Sequence, residues 1–306
     1  MKEDMQNPQF TPLLEQLNTV ILGKEDILKQ LLTCILAGGH VLLEDVPGVG
    51  KTTLASSLSA VLGLHYQRVQ FTNDMLPADL IGVNVFAPNE GQFVFHQGAV
   101  FNQFVLADEI NRASPKVQSA LLEAMEEGQV SVDGKTYRLP TPFLVVATQN
   151  PSEQLGTFPL PESQLDRFMM RLSMGYPVEK AETMLYHMGD RRQLVPKIPT
   201  LASPEQLLAW QNQVREITVS EAVAAYVYRL VSATRQAGLF AVGLSPRAGL
   251  AVVSAAKAWA FLAGRDFVLP EDVKAVWVAV GNHRVQSLQQ QSSVALLERI
   301  LQDVAV

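Results

Sequence analysis

The sequence predicts a layered α/β domain built on a parallel sheet, followed by an all-helical unit. Three observations lead there. Short apolar runs at His40–Glu44, Gln103–Ala107 and Phe143–Thr148 read as buried central strands. Helical patterns alternate with those runs, the rhythm of strand–helix–strand layering. Beyond Thr200 only helical patterns recur.

The elements follow in order. Glu25–Ala37 has helical spacing and stops at Gly38-Gly39, just before the first strand. Leu54–Leu62 is helical again, and Tyr66–Phe71 alternates like a strand. Ile81–His96 holds two β-like segments around Pro88-Asn89-Glu90-Gly91. After the Gln103–Ala107 strand, Ser114-Pro115 is a helix start, with serine as cap and proline at the first position. That helix runs to about Glu127 and ends at Gly128. Gln129–Leu139 is a second hairpin, turning at Asp133-Gly134. A linker at Gly189–Thr200 carries Pro196 and Pro199. Then Ser203-Pro204-Glu205-Gln206 forms a capping box. Helical patterns follow at Glu221–Gln236, Pro246–Leu262 and Glu271–Val280. The expected division is a nucleotide-binding α/β domain over residues 1–192 and a helical domain over 200–306.

Composition narrows the function. The chain has 306 residues and a net charge of −6. No basic stripe of the kind that grips nucleic-acid phosphates is visible, so no nucleic-acid partner is expected. The single cysteine, Cys34, lies in an apolar stretch and reads as a buried structural thiol. Residues Met1–Phe10 are polar and lack the apolar core of a signal peptide. The longest apolar tract, Leu250–Leu262, is interrupted by Lys257 and falls short of the ~20 residues a membrane span needs. The chain therefore reads as soluble and cytoplasmic, without a membrane span.

Between the first strand and the next helix stands Val46-Pro47-Gly48-Val49-Gly50-Lys51-Thr52-Thr53. A loop that wraps a polyphosphate with its own N–H groups must carry few side chains, and Gly48 and Gly50 meet that need. Lys51 supplies positive charge to the β and γ phosphates, and the Thr52 hydroxyl can ligate Mg²⁺. The following helix points its N-terminus at the anion. The usual pattern has a further glycine five residues before Gly50, and here that position is Asp45.

The Phe104–Ala107 strand runs into two acids, Asp108 and Glu109. Adjacent carboxylates repel and are costly to bury, so the pair needs either solvent or a bound cation. A metal on the triphosphate would offset that cost. Asp108 would hold Mg²⁺, often through water, and Glu109 would accept a proton from the attacking water.

From these residues onward the chain resembles the MoxR family of AAA+ ATPases. The hallmark stretch is Asp108-Glu109-Ile110-Asn111-Arg112-Ala113-Ser114-Pro115, running on to Met125. Ala147-Thr148-Gln149-Asn150-Pro151 and the segment Phe158–Phe168, ending in Leu165-Asp166-Arg167-Phe168, match as well. The resemblance covers Thr19–Arg284 and includes Gly23, although Lys24 stands where the family usually carries glutamine. It implies a five-stranded parallel sheet sandwiched by helices, two β-hairpin inserts and a helical lid.

The resemblance also implies roles. Asn150 is similar to the sensor that holds the attacking water. Arg167 resembles the arginine finger that reaches a neighbour's nucleotide, with Arg171 as the competing candidate. Val20, Ile21 and Leu22 would line the adenine pocket. Thr72 or Asn73 would hold Glu109 in an inactive state. Arg247 can be argued from charge as well: it sits at the second position of a helix, where a cation opposes the dipole unless an anion is bound. It fits a sensor contacting the γ-phosphate from the helical domain. The implied activity is ATP hydrolysis with Mg²⁺ by a homohexameric ring that remodels or matures protein clients. Members of this type often work beside a protein with a von Willebrand factor A domain. A metal-chelatase ATPase subunit and a nucleic-acid motor of the helicase branch are the alternatives.

Overall fold

A computed structural model describes residues 7–150, 156–236, 238–288 and 291–306. Pro151, which closes the Ala147–Pro151 motif, and residues 1–6 lie outside the described residues. The chain opens with α1 (Thr11–Val20), α2 (Glu25–Leu36), β1 (Val41–Glu44), α3 (Lys51–Val61) and β2 (Tyr66–Gln70). A short α4 (Pro77–Ile81) leads into the hairpin β3 (Val83–Ala87) and β4 (Gln92–His96). Next come β5 (Phe104–Asp108), α5 (Pro115–Glu127), the hairpin β6 (Gln129–Val132) and β7 (Lys135–Arg138), and β8 (Leu144–Gln149). The α/β part closes with α6 (Glu162–Leu165), β9 (Met170–Leu172) and α7 (Glu179–Met188). The C-terminal unit comprises α8 (Pro204–Glu216), α9 (Glu221–Thr234), β10 (Phe240–Val242), α10 (Pro246–Leu262), α11 (Pro270–Gly281), β11 (Gln286–Ser287) and α12 (Ser293–Asp303).

Five strands form one parallel sheet in the order β2-β5-β8-β1-β9. Side chains alternate across it, as strand geometry requires. Phe104, Leu106, Leu144 and Val146 face the layer of α1, α2 and α3, whereas Val105, Ala107, Val145 and Ala147 face α5. Both faces are thus buried, which is why these strands read as continuous apolar runs. His40 pins the start of β1 to β8 and to α5: its Nδ1 accepts from the Val145 N–H at 3.0 Å and its Nε2 donates to the Met125 carbonyl at 3.3 Å. Burial lowers its pKa to about 4, so the ring is neutral.

The sheet's apolar core continues into the C-terminal unit instead of stopping at its border. Phe10 packs edge-on against Trp210 and Phe261, with ring centroids 4.9 and 5.5 Å apart. The Gln211 amide donates to the Ile35 carbonyl at 2.8 Å. Ser203 caps α8 as expected, accepting from Gln206 N–H at 3.3 Å. Two details depart from the sequence reading. The helical unit carries one antiparallel pair, β10 with β11. The Gly189–Thr200 linker contains a 3-10 turn at Arg191–Lys197 that packs on α1 and α3.

The two inserted hairpins are joined to each other. Phe95 stacks on Tyr137 with centroids 3.9 Å apart, and Asn84 donates to Asp133 at 2.7 Å. Asp133 and Gly134 both have positive φ, as a tight two-residue hairpin turn requires.

Candidate active site

The strand order places three neighbours, β5, β8 and β1, side by side with their carboxyl ends on one edge. That edge is where ligands settle in open α/β sheets. Asp108 ends β5, Asn150 follows β8, and the phosphate loop leaves β1. Residues far apart in sequence thus meet in one cleft of about 840 Å³.

The loop is built for an anion. Gly48 and Gly50 have φ of +86° and +96°, where a side chain would be strained. Gly50 immediately precedes α3, and no side chain caps that helix. Its first N–H groups therefore face the loop, the arrangement that binds phosphate. Lys51 Nζ donates to the Asp45 carbonyl at 2.7 Å. Asp45, the departure from the usual glycine, is an anchor. Its buried carboxylate accepts from Val46 N–H at 2.9 Å, Ser173 Oγ at 3.1 Å and Gly175 N–H at 2.7 Å. It ties the start of the loop to the segment after β9.

The two acids are held separately. Thr148 Oγ1 donates to Asp108 Oδ1 at 2.6 Å and accepts from the Glu109 N–H at 2.9 Å. Arg68 binds Asp108 Oδ2 at 2.7 Å. Glu109 sits in the left-handed region, with φ 58° and ψ 49°. A non-glycine residue there costs on the order of 1 kcal/mol or more, and such strain gathers at functional sites. Its carboxylate accepts from Gln70 Nε2 at 2.6 Å and pairs with Arg112 at 3.0 Å. The side-chain amide beside Glu109 is that of Gln70, two residues before the expected Thr72 and three before Asn73. Register explains it: Gln70 pairs with Asp108 across β2 and β5, so it stands beside the acids, while Thr72 and Asn73 lie past the strand end.

Away from the phosphate loop, apolar side chains share the lining with Lys24, Glu182, Asp190, Arg191 and Arg192. Val20, Ile21 and Leu22, the residues expected around an adenine, line the cleft where α1 ends. Tyr176, Leu185 and Tyr186 add a wall around α7 that the sequence reading did not include. A tight corner makes this possible. A Cβ at Gly23 would lie 2.9 Å from Ala181 Cβ, so glycine lets α7 come close. Lys24, in place of the usual glutamine, donates to the Tyr176 carbonyl at 2.8 Å and to the Met174 carbonyl.

The arginines fall into two places. Arg171, on β9, pairs with Glu44 at 2.9 Å and donates to Asn282 Oδ1 at 2.9 Å and to its carbonyl at 2.8 Å. Arg167 instead pairs with Glu126, at the end of α5, at 2.9 Å. Asp166 binds Arg284 at 2.6 Å. Arg247 joins Glu126 at 3.2 Å and approaches Asp166 at 3.6 Å. Neither Arg167 nor Arg247 lines the cleft that holds Lys51, Asp108, Glu109 and Asn150.

Residues 40–170 match the family described as "ATPase family associated with various cellular activities (AAA)", and residues 232–304 match the AAA lid domain. A Bacillus subtilis protein, YeaC, is 43% identical over 89% of this chain and 85% of its own length. Chaperone MoxR1 of Mycobacterium tuberculosis is 40% identical over 95% of this chain and 80% of its own. The chain belongs to the MoxR family of AAA ATPases. A crystal structure of a candidate ATPase from Cytophaga hutchinsonii superposes on this MoxR-family chain with a TM-score of 0.87 at 38% identity. It covers 97% of this chain, which in turn covers 94% of it. The AAA+ fold with a helical lid is therefore established, and nucleotide binding follows from it. Among the described residues no helix is long and apolar enough to cross a membrane. In this MoxR-family site the sequence reading missed Arg68, Gln70, Thr148 and the anchoring role of Asp45. Only Thr148 left a local trace, as the polar residue that ends the apolar run Phe143–Ala147.

Proposed function

We propose that the chain is a Mg²⁺-dependent ATPase working as a ring, a homohexamer, with each catalytic site shared between neighbouring subunits. One observation carries this reading. Arg167 and Arg247 converge on Glu126, outside the cleft that holds the rest of the machinery. Two cations of the kind that offset charge on a transferred phosphoryl group thus stand outside their own subunit's cleft. They would serve the neighbour's. Arg171 is less suited: Glu44 and both the side chain and the carbonyl of Asn282 engage its guanidinium, whereas a single carboxylate, Glu126, pairs with Arg167.

In each site the N–H groups of Pro47–Thr53, proline excepted, and the Lys51 ammonium hold the triphosphate, and Val20 and Ile21 receive the adenine. Thr52 and, through water, Asp108 would hold Mg²⁺, which would supply charge neutralisation across the phosphates. The Asn150 amide orients the attacking water. Glu109 takes its proton, with Thr148 fixing the peptide from which Glu109 projects. Arg167 of the adjacent subunit balances charge on the phosphoryl group. Residues 1–192 act as the nucleotide-binding unit and 200–306 as the lid.

The output is mechanical work on a protein client in the cytoplasm, alongside a von Willebrand factor A domain partner. A chaperone's name on the Mycobacterium tuberculosis relative supports the protein client. So do the joined hairpins, which expose Phe86 and Phe93 as an apolar surface for a client. Lys51→Ala is the first test. Losing one charge-assisted contact to phosphate should weaken nucleotide binding by about ten- to hundredfold in a fluorescent-nucleotide titration. Unchanged affinity would remove the loop from the site.

A further inference from the structure

A buried arginine outside the cleft holds the segment that carries Arg167. Arg284 follows the end of α11, and only 6% of its side chain is exposed. A guanidinium has five N–H donors in a fixed fork, and here five acceptors meet it. Nε donates to Asp166 Oδ1 at 2.6 Å. Nη2 donates to the carbonyls of Asp166 and Phe168 at 3.0 and 2.7 Å. Nη1 donates to the carbonyls of Met169 and Val280 at 2.9 and 2.5 Å. Three of these carbonyls flank Arg167 in sequence. His283 adds a contact from Nε2 to the Phe168 carbonyl at 2.8 Å. Asn282 brackets the far end, donating to the Arg171 carbonyl at 3.1 Å.

Burying a charge is expensive, and an apolar side chain would glue the lid to the sheet as well or better. An arginine that spends its whole fork on nearby carbonyls and one carboxylate does something apolar packing cannot. It fixes the direction of successive peptide groups. The same Asp166 carboxylate that Arg284 binds also faces Arg247, and Arg247 shares Glu126 with Arg167. The lid thus reaches the finger by two routes, through backbone and through charge.

We infer that Arg284 is a positioning residue for Arg167: it docks the lid onto the Asp166–Met169 segment and sets the backbone from which Arg167 reaches the neighbouring subunit's nucleotide. The inference rests on the shared-site reading above. A displacement of about 1 Å at a reacting group can cost about a hundredfold in rate.

The test is a subunit-mixing experiment with the full chain. Arg284→Lys keeps the charge and loses the fork. Its rings should bind ATP as the wild type does and hydrolyse it about ten- to a hundredfold more slowly. Mixed one to one with Glu109→Gln, which has a dead site and a sound finger, it should regain activity. In a random head-to-tail ring, about a quarter of the interfaces pair a sound site with a sound finger. Mixed with Arg167→Ala it should regain nothing, because both partners lack a placed finger. Asp166→Asn, a milder change at a partly exposed position, should give the same pattern if Arg284→Lys fails to fold. Arg167→Ala mixed with Glu109→Gln is the control. If that control recovers and the Arg284→Lys mixture does not, the defect lies in the variant's own site and the inference is overturned. Full activity of Arg284→Lys alone would overturn it too. If the control itself fails to recover, the shared site falls and the inference with it.

Discussion

Arg167→Ala is expected to lower the ATPase rate by about a thousandfold or more while leaving ATP affinity nearly unchanged. The separation of the two effects is the informative part. Arg167 shares no cleft with its own phosphate loop, so its loss should not loosen the nucleotide that the same subunit binds. It should remove a cation from the neighbour's transition state, where charge builds on the phosphoryl oxygens. Glu126, now paired with Arg167 and Arg247, keeps the second arginine and is not left uncompensated. Single-turnover phosphate release together with a nucleotide titration separates rate from binding. A variant that loses affinity but keeps its rate at saturating ATP would assign Arg167 to ground-state binding instead.

Glu109→Gln is the second large effect. The substitution keeps shape and hydrogen-bonding capacity and removes the base. Turnover should fall by about a hundred- to ten-thousandfold with ATP retained. The backbone strain at Glu109 argues for this role. A positive φ at a non-glycine residue persists only when the surroundings impose it, and here the Thr148 hydroxyl grips its N–H. Trapped, unhydrolysed ATP on the variant, read by quench and chromatography, is the expected result. Near-normal turnover would remove Glu109 from the base role.

Much of this site was legible in the sequence because its chemistry is local. Gly48, Gly50 and Lys51 must lie within one loop to wrap a phosphate chain, and Asp108 and Glu109 are adjacent at a strand end. The central strands β1, β5 and β8 were legible because burial on both faces makes them apolar runs. Residues whose role depends on register or on distant partners were not. Gln70 rather than Thr72 or Asn73 faces Glu109 because of how β2 pairs with β5. Asp45 looked like a missing glycine, and its partners Ser173 and Gly175 lie 128 and 130 residues away. β9 is three residues long, too short for any periodicity to register. Arg247 was expected at a γ-phosphate from its helix position. Only the packing of α10 near the end of α5 shows it beside Arg167.

If catalysis needs two subunits, specific ATPase activity must depend on assembly. A dilution series, with mass and ATPase rate measured at each concentration, reads that dependence. Activity per subunit should collapse in step with dissociation of the ring, with monomers keeping bound ATP and hydrolysing it slowly. Monomers with the full specific activity of the assembled protein would be incompatible with a site shared between subunits.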